Sequence, residues 1–338
     1  MIKTTEIHIP NAPRIPGLTF RGFRGEADYP VIVEILRAAN LADKVSQSVT
    51  VEGITVQYQH LQRSDPSKDM VFIEIDGAAV GYGRCQWDQE SEGDFIYNFF
   101  LHLGPAGRGK GIEKPVYEYF IGRLKETAKN HPAEADKFFQ TWSTTTKLDN
   151  NKVIEELGFT PARYTIGMVR SCSQPVEVSP LPEGVEVRPV EESHLRPIFD
   201  AENEAFRDHW GSIDPTEENY KQWLEEPIHK PELWKVAWDG DQVVGMVRSF
   251  INQEENEEFN RKRGYTEEIS VRRPWRRKGV ARALLTRSIQ MFIEMGMEET
   301  SLGVDTENPN GALNLYQSVG YIEERRWITY RKPVDTGE

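Results

Sequence analysis

The chain has 338 residues and a formal net charge of −13, from 54 acidic against 41 basic side chains. That balance excludes general nucleic-acid binding, because polyanions are repelled except at a local patch. Two cysteines and seven scattered histidines provide neither a disulfide framework nor a metal-ligand spacing.

No apolar run approaches the ~18 residues of a membrane span, and the first residues lack a signal-peptide core. The expectation is a cytoplasmic protein with no metal, membrane or nucleic-acid partner, long enough for two domains. In chain order, LTFRGF (18–23) reads as a strand and VIVEILRAANL (31–41) as a helix. VFIEIDGAAVGYGR (71–84) reads as a hairpin, with Asp-Gly between two apolar runs. FIYNFFLHL (95–103) then reads as a longer strand, RGKGIE (108–113) as a loop opening a helix, and EELGF (155–159) as a helix end before a strand. SQPVEVSPLPEG (173–184) has three prolines and no periodicity, as a linker would.

The same order then recurs. VEVRPV (185–190) reads as a strand, HLRPIFDAENEAF (194–206) as a helix and KVAWDGDQVVGMVR (235–248) as a hairpin. TEEISV (266–271) is the strand, RRKGVA (276–281) the loop and QSVGY (317–321) the late helix end. Asp76-Gly77, Gly111 and Gly158 thus return as Asp239-Gly240, Gly279 and Gly320 at a near-constant shift. The chain reads as a tandem duplication: a first domain over 1–172, a linker over 173–184 and a second domain over 185–338. Each is an α/β domain, a mixed, partly parallel twisted sheet flanked by helices.

RRPWRRKGVARALL (272–285) concentrates six basic residues around Gly279, against the acidic trend of the chain. Unpaired N–H groups and the positive dipole end at a helix N-terminus suit a phosphate. Together with NPNGALNLYQSVGY (308–321), this (Q/R)xxGx(G/A) loop resembles the GCN5-related N-acetyltransferase (GNAT) superfamily, of the tandem-domain type. The resemblance covers residues 185–332 well and 18–170 more weakly. It implies an acyl-CoA-dependent N-acyltransferase, with acetyl-CoA as donor and a small-molecule or peptide amine as acceptor.

By that resemblance, the backbone N–H groups of Arg277, Lys278, Gly279, Val280 and Ala281 hold the diphosphate, and the side chains of Arg276 and its basic neighbours attract the cofactor's phosphates. The backbone of Ile269 and Val271 pairs with the pantetheine arm in a gap beside TSLGVDT (300–306). Asn308 and Asn310 contact the cofactor, and Tyr316 stands where a tyrosine protonates the departing thiolate. Taking a proton from the amine needs a carboxylate. Period-two alternation places Glu267 on the side of Ile269 and Val271, with Glu268 as the spare. His209 and Trp210 are the expected acceptor contacts, and Glu204 or Asp208 would attract a cationic amine.

The first copy departs twice: Glu113 stands where Ala281 does, and Ile154 stands opposite Tyr316. A carboxylate at that turn repels a diphosphate. Catalysis is therefore expected in the second domain alone. The alternative is a non-catalytic acyl-CoA-binding or regulatory protein that keeps the fold.

Overall fold

The computed structural model describes residues 6–335, and the contacts divide the chain into two units. The first contains residues up to Arg163 and from Trp327 on; the second is Tyr164–Arg326.

In chain order the first unit begins with β1 (Leu18–Arg21), α1 (Tyr29–Ala42), α2 (Val51–Gln59) and the single turn α3 (Pro66–Asp69). The hairpin β2 (Met70–Ile75) and β3 (Ala78–Gln89) follows, then β4 (Phe95–Leu103), α4 (Glu113–Ala128), β5 (Lys137–Thr144) and α5 (Leu148–Glu156). The turn between β2 and β3 has Asp76 and Gly77 both at positive φ, the mirror-type turn that Asp-Gly favours. A strand β6 (Thr160–Ser171) closes this half of the sequence.

The second half repeats the plan, with a short helix added after its hairpin and no α-helical counterpart of α3 before it. Its elements are β7 (Val185–Arg188), α6 (Leu195–Phe206), α7 (Glu217–Glu225), β8 (Lys235–Asp239), β9 (Gln242–Phe250) and α8 (Gln253–Glu258). Then come β10 (Arg263–Val271), α9 (Val280–Glu294), β11 (Glu299–Asp305), α10 (Ala312–Ser318) and β12 (Ile322–Pro333).

The second unit's sheet runs β7-β8-β9-β10-β11-β6, antiparallel except for the parallel pair β10/β11. The first unit's sheet runs β1-β2-β3-β4-β5-β12, with β4/β5 as its parallel pair. Both are the mixed α/β sheets expected.

The limits differ from those read off the sequence. The strand that closes each half completes the sheet of the other unit: β6 from Thr165 pairs with β11, and β12 from Trp327 pairs with β5. A linker after residue 172 is legible in its prolines, but nothing in an alternating strand marks which sheet edge it will join. Residues 164–172 therefore belong with the second unit, and residues from Trp327 with the first.

The second unit's core lies on both faces of its sheet. Val280 and Leu284 of α9 pack with Val244 and Val247, while Ile198 of α6 packs with Trp234, Val236 and Met246 on the other. Gly264 permits one close approach: a Cβ there would stand 2.5 Å from the Phe292 ring. Burying this apolar surface, at about 25 cal/mol per Å², fixes α9 against β10 and hence the direction in which its N-terminus points.

Candidate active site

β10 and β11 pair in parallel only from Arg263↔Glu299 to Tyr265↔Ser301, although both strands continue to Val271 and Asp305. Beyond that point they splay. On its other side β10 pairs with β9, and the register shifts between Glu267 and Ser270. Glu268 sits in this bulge at φ 49°, a left-handed conformation that favours glycine. A bulge of this kind withdraws backbone groups from the ladder and turns them toward the gap. The alternation expected along 267–271 is broken here; Glu267, Ile269 and Val271 share a cavity because of the splay and the bulge, not by simple period two.

That cavity, of about 530 Å³, runs from the start of α9 to α10. Arg276, Arg277, Gly279, Val280 and Ala281 line one end. Gly279, at φ 86°, precedes α9 in the left-handed conformation, so a side chain there would be strained whatever space it found. The first N–H groups of α9 lack intrahelical partners by geometry, and its dipole is positive at this end. Arg277 and Lys278 are exposed, and neither has an acidic partner among the described residues. They supply charge without being committed elsewhere.

Arg276 is committed. It donates from Nε to the Val271 carbonyl at 2.9 Å, from Nη2 to the Ala205 carbonyl at 2.9 Å and from Nη1 to Asp208 at 2.6 Å. These bonds clamp the loop to the end of α6, so the Arg276 side chain supports the turn. Asp208 also pairs with Arg273, and the two arginines hold its carboxyl well below the ordinary range. Glu204 pairs with Arg272 at 2.8 Å. Neither carboxylate is free to attract an amine, contrary to the expectation from sequence.

At the other end, Glu267 accepts from the Gly303 N–H at 3.2 Å, so its side chain spans the gap between the splayed strands. Burial pushes its carboxyl up to about 8, with Glu268 adding to the shift and the Gly303 bond opposing it. Tyr316, only 5% exposed, lies on α10 and lines the same cavity. Burial first, then the nearby Glu267, pushes its phenol up, so it remains a proton donor at neutral pH. α10 ends in a fixed way: the Val319, Gly320 and Tyr321 N–H groups return to carbonyls of Tyr316 and Gln317, with Gly320 at φ 96°.

Asn308 and Asn310 line the cavity and make its rim, where the Asn308 side chain accepts from the Asn310 N–H at 2.9 Å. His209 lines it too, edge-on to Phe206 at 4.6 Å, with its pKa lowered chiefly by burial. Trp210, expected with His209 as an acceptor contact, does not line this cavity and is 38% exposed. Thr165, contributed by β6, does line the cavity. Only knowledge of the strand exchange could have identified it.

The first unit repeats the support but not the bulge or the tyrosine. Arg108 donates to the Leu103 carbonyl at 2.8 Å and to Asp43 at 2.6 Å, as Arg276 does to Val271 and Asp208. β4 and β5 also part after Asn98↔Gln140. However, β3 and β4 stay in register from Gly81↔Leu103 to Gln89↔Phe95, so the bulge is missing. Glu113 opens α4, and Ile154, buried, occupies the place of Tyr316. Phe100 and Trp142, from the diverging strands, bring their rings within 6.1 Å.

No helix among the described residues is long and apolar enough to cross a membrane. No group of metal-binding side chains occurs among them either.

Comparison with known proteins agrees with this geometry. Residues 195–321 match the Acetyltransferase (GNAT) family. A mycothiol acetyltransferase of Geodermatophilus obscurus is 25% identical over 316 residues, which cover 90% of this chain and 94% of that protein. An N-alpha-acetyltransferase MAK3 of Arabidopsis thaliana is 40% identical over 100 residues, 30% of this chain and 50% of that one. Among solved structures, a GCN5-related N-acetyltransferase from Sphaerobacter thermophilus superposes with a TM-score of 0.70 at 24% identity, covering 96% of this chain and 97% of that one.

Proposed function

Because residues 195–321 match the GNAT acetyltransferase family, we propose that the second unit transfers an acetyl group from acetyl-CoA to a primary amine. One observation carries the reading: a single cavity joins an unpaired helix N-terminus, lined by Arg277 with Lys278 next to it in sequence, to Glu267 and Tyr316 at the other end. A negatively charged, extended donor fits that layout, because its anionic end meets α9 while its reactive end meets the two titratable groups.

The donor supplies an acyl group activated as a thioester. The start of α9, with Arg277 and Lys278, holds its diphosphate. The exposed edge of β10 orients its arm as an added strand would, and an N–H turned out by the bulge faces the carbonyl oxygen as charge develops there. An ammonium cannot attack, so Glu267 takes a proton from the amine. A carboxyl near 8 is better matched to this task than one near 4. Tyr316 gives a proton to the departing thiolate. The retained Glu267 and Tyr316 distinguish this reading from a protein that only binds acyl-CoA.

Thiol release from acetyl-CoA, followed with an amine panel, tests the proposal. Tyr316→Phe lowers kcat by roughly 10² or more while acetyl-CoA affinity holds. Unchanged turnover in that variant would remove Tyr316 from the chemistry.

A further inference from the structure

A second cavity of about 450 Å³ in the same unit shares Glu267 and Glu268 with the first. It opens on the α6 side of β10, among Glu202, Trp223, Glu226, His229, Trp234 and Arg248. A group entering it reaches the base from the side away from α9.

Among the residues lining this cavity Arg248 is the one permanent cation, and its charge is balanced by an ion pair with Glu202. Nε faces Glu202 at 2.6 Å and Nη2 donates to Glu202 at 2.9 Å. Nη1 stands 2.8 Å from Nε2 of His229, whose Nδ1 lies 2.7 Å from the Trp223 carbonyl. A carbonyl only accepts, so Nδ1 carries the proton and Nε2 accepts from Arg248. Burial, reinforced by Arg248, lowers the His229 pKa to about 4 and keeps the ring in that neutral form. The guanidinium also lies 5.3 Å from the ring centres of both Trp223 and Trp234.

Two consequences follow for whatever occupies the cavity. A carboxylate there competes with Glu202 for Arg248, whose charge that ion pair already balances, and it meets Glu226 and Glu268. A cation meets those same carboxylates favourably, over aromatic walls that suit a cationic or apolar body. The indole N–H of Trp223, buried and without an acceptor, remains for a hydroxyl or carbonyl of the ligand.

We propose that this second cavity seats the acceptor and selects a small primary amine that carries no carboxylate beside its nitrogen, with the Glu202–Arg248–His229 network as the specificity device. The inference rests on the acetyltransferase reading above and adds the acceptor's class to it.

Matched amines that differ only in the α-carboxylate test it: cadaverine against lysine, agmatine against arginine, tyramine against tyrosine. The carboxylate-free member of each pair is expected to show at least a tenfold higher kcat/KM, chiefly through KM. Glu226→Gln lowers that advantage several-fold for cadaverine and agmatine without altering acetyl-CoA binding. Glu202→Gln releases Arg248 donors and raises turnover of the carboxylate-bearing members relative to their partners. Acetyl-CoA binding by calorimetry, on the same preparations, separates the two readings. If acetyl-CoA binds but the amino acids are taken equally or better, or only peptides are acetylated, the acceptor proposal falls and the acetyltransferase reading stands. If acetyl-CoA does not bind, both fall.

Discussion

Arg276 and Asp208 meet at 2.6 Å across the base of the phosphate-type loop, and Arg108 and Asp43 meet at 2.6 Å across the base of its counterpart. In each unit the arginine also donates to the carbonyl that ends the preceding strand, Val271 or Leu103. A basic residue that opens the loop motif is thus a brace in both halves, including the half where Glu113 disfavours an anion. The motif's arginine is tied to the geometry of the turn, and the motif's free cations are the two residues after it.

This separates two kinds of variant. Arg276→Ala removes a charged fork that holds two carbonyls and a carboxylate, each such bond being worth about 1.5–3 kcal/mol. It should lower Tm and acetyl-CoA affinity together. Lys does not reproduce the fork and should rescue little. Arg277→Ala with Lys278→Ala should leave Tm nearly unchanged while weakening acetyl-CoA binding and flattening its salt dependence. Thermal melts and titrations at two ionic strengths check both.

Glu267 gives a pH signature. As base it must be ionised, so kcat/KM rises with pH through about 8, and Glu267→Gln loses that limb together with roughly 10²-fold or more of the rate. Stability moves the other way. The folded pKa lies above the ordinary 4.5, so the folded state holds this proton more tightly than the unfolded chain does. Its contribution is full at low pH, is lost as pH rises from about 4.5 to about 8, and stays lost above. The Tm of Glu267→Gln relative to wild type should therefore climb across that window and level off beyond it.

Much of this was legible in the residues. The duplication, both hairpin turns, the loop before α9 and Tyr316 are written as short local patterns, and the pairs Asp76-Gly77 and Asp239-Gly240 sit where turns require them. The bulge at Glu268 was not, because a glutamate at φ 49° carries no signature of the strain it accepts. Arg276 was read by its charge, whereas its partners lie at the end of α6, on a segment distant in sequence. The pocket around Arg248 was equally hidden: it gathers side chains from α6, α7 and β9 that only the packed sheet brings together.

The strand exchange has its own consequence. β6 pairs with β11 through seven residue pairs, from Thr165↔Asp305 to Ser171↔Glu299, and Arg170 donates to the Val319 carbonyl at 2.7 Å, where α10 ends. Arg170 also donates to carbonyls of Ser171, Gln174 and Pro175. Arg170→Met should cost about 2 kcal/mol or more by stranding the buried Val319 carbonyl, and should lower kcat by loosening the helix that carries Tyr316. A chain beginning at residue 185 lacks β6 and Thr165, and should be unstable. Denaturant melts of the point variant and recovery of soluble truncated chain are the readouts.

The central claim is that one cofactor site exists and that it lies in the second unit. Calorimetric titration of acetyl-CoA into wild type and into Ala281→Glu, which copies Glu113 into the second loop, tests it most directly. One site in wild type, abolished in the variant, is the expected result. Two sites, or one site untouched by the substitution, would contradict the account.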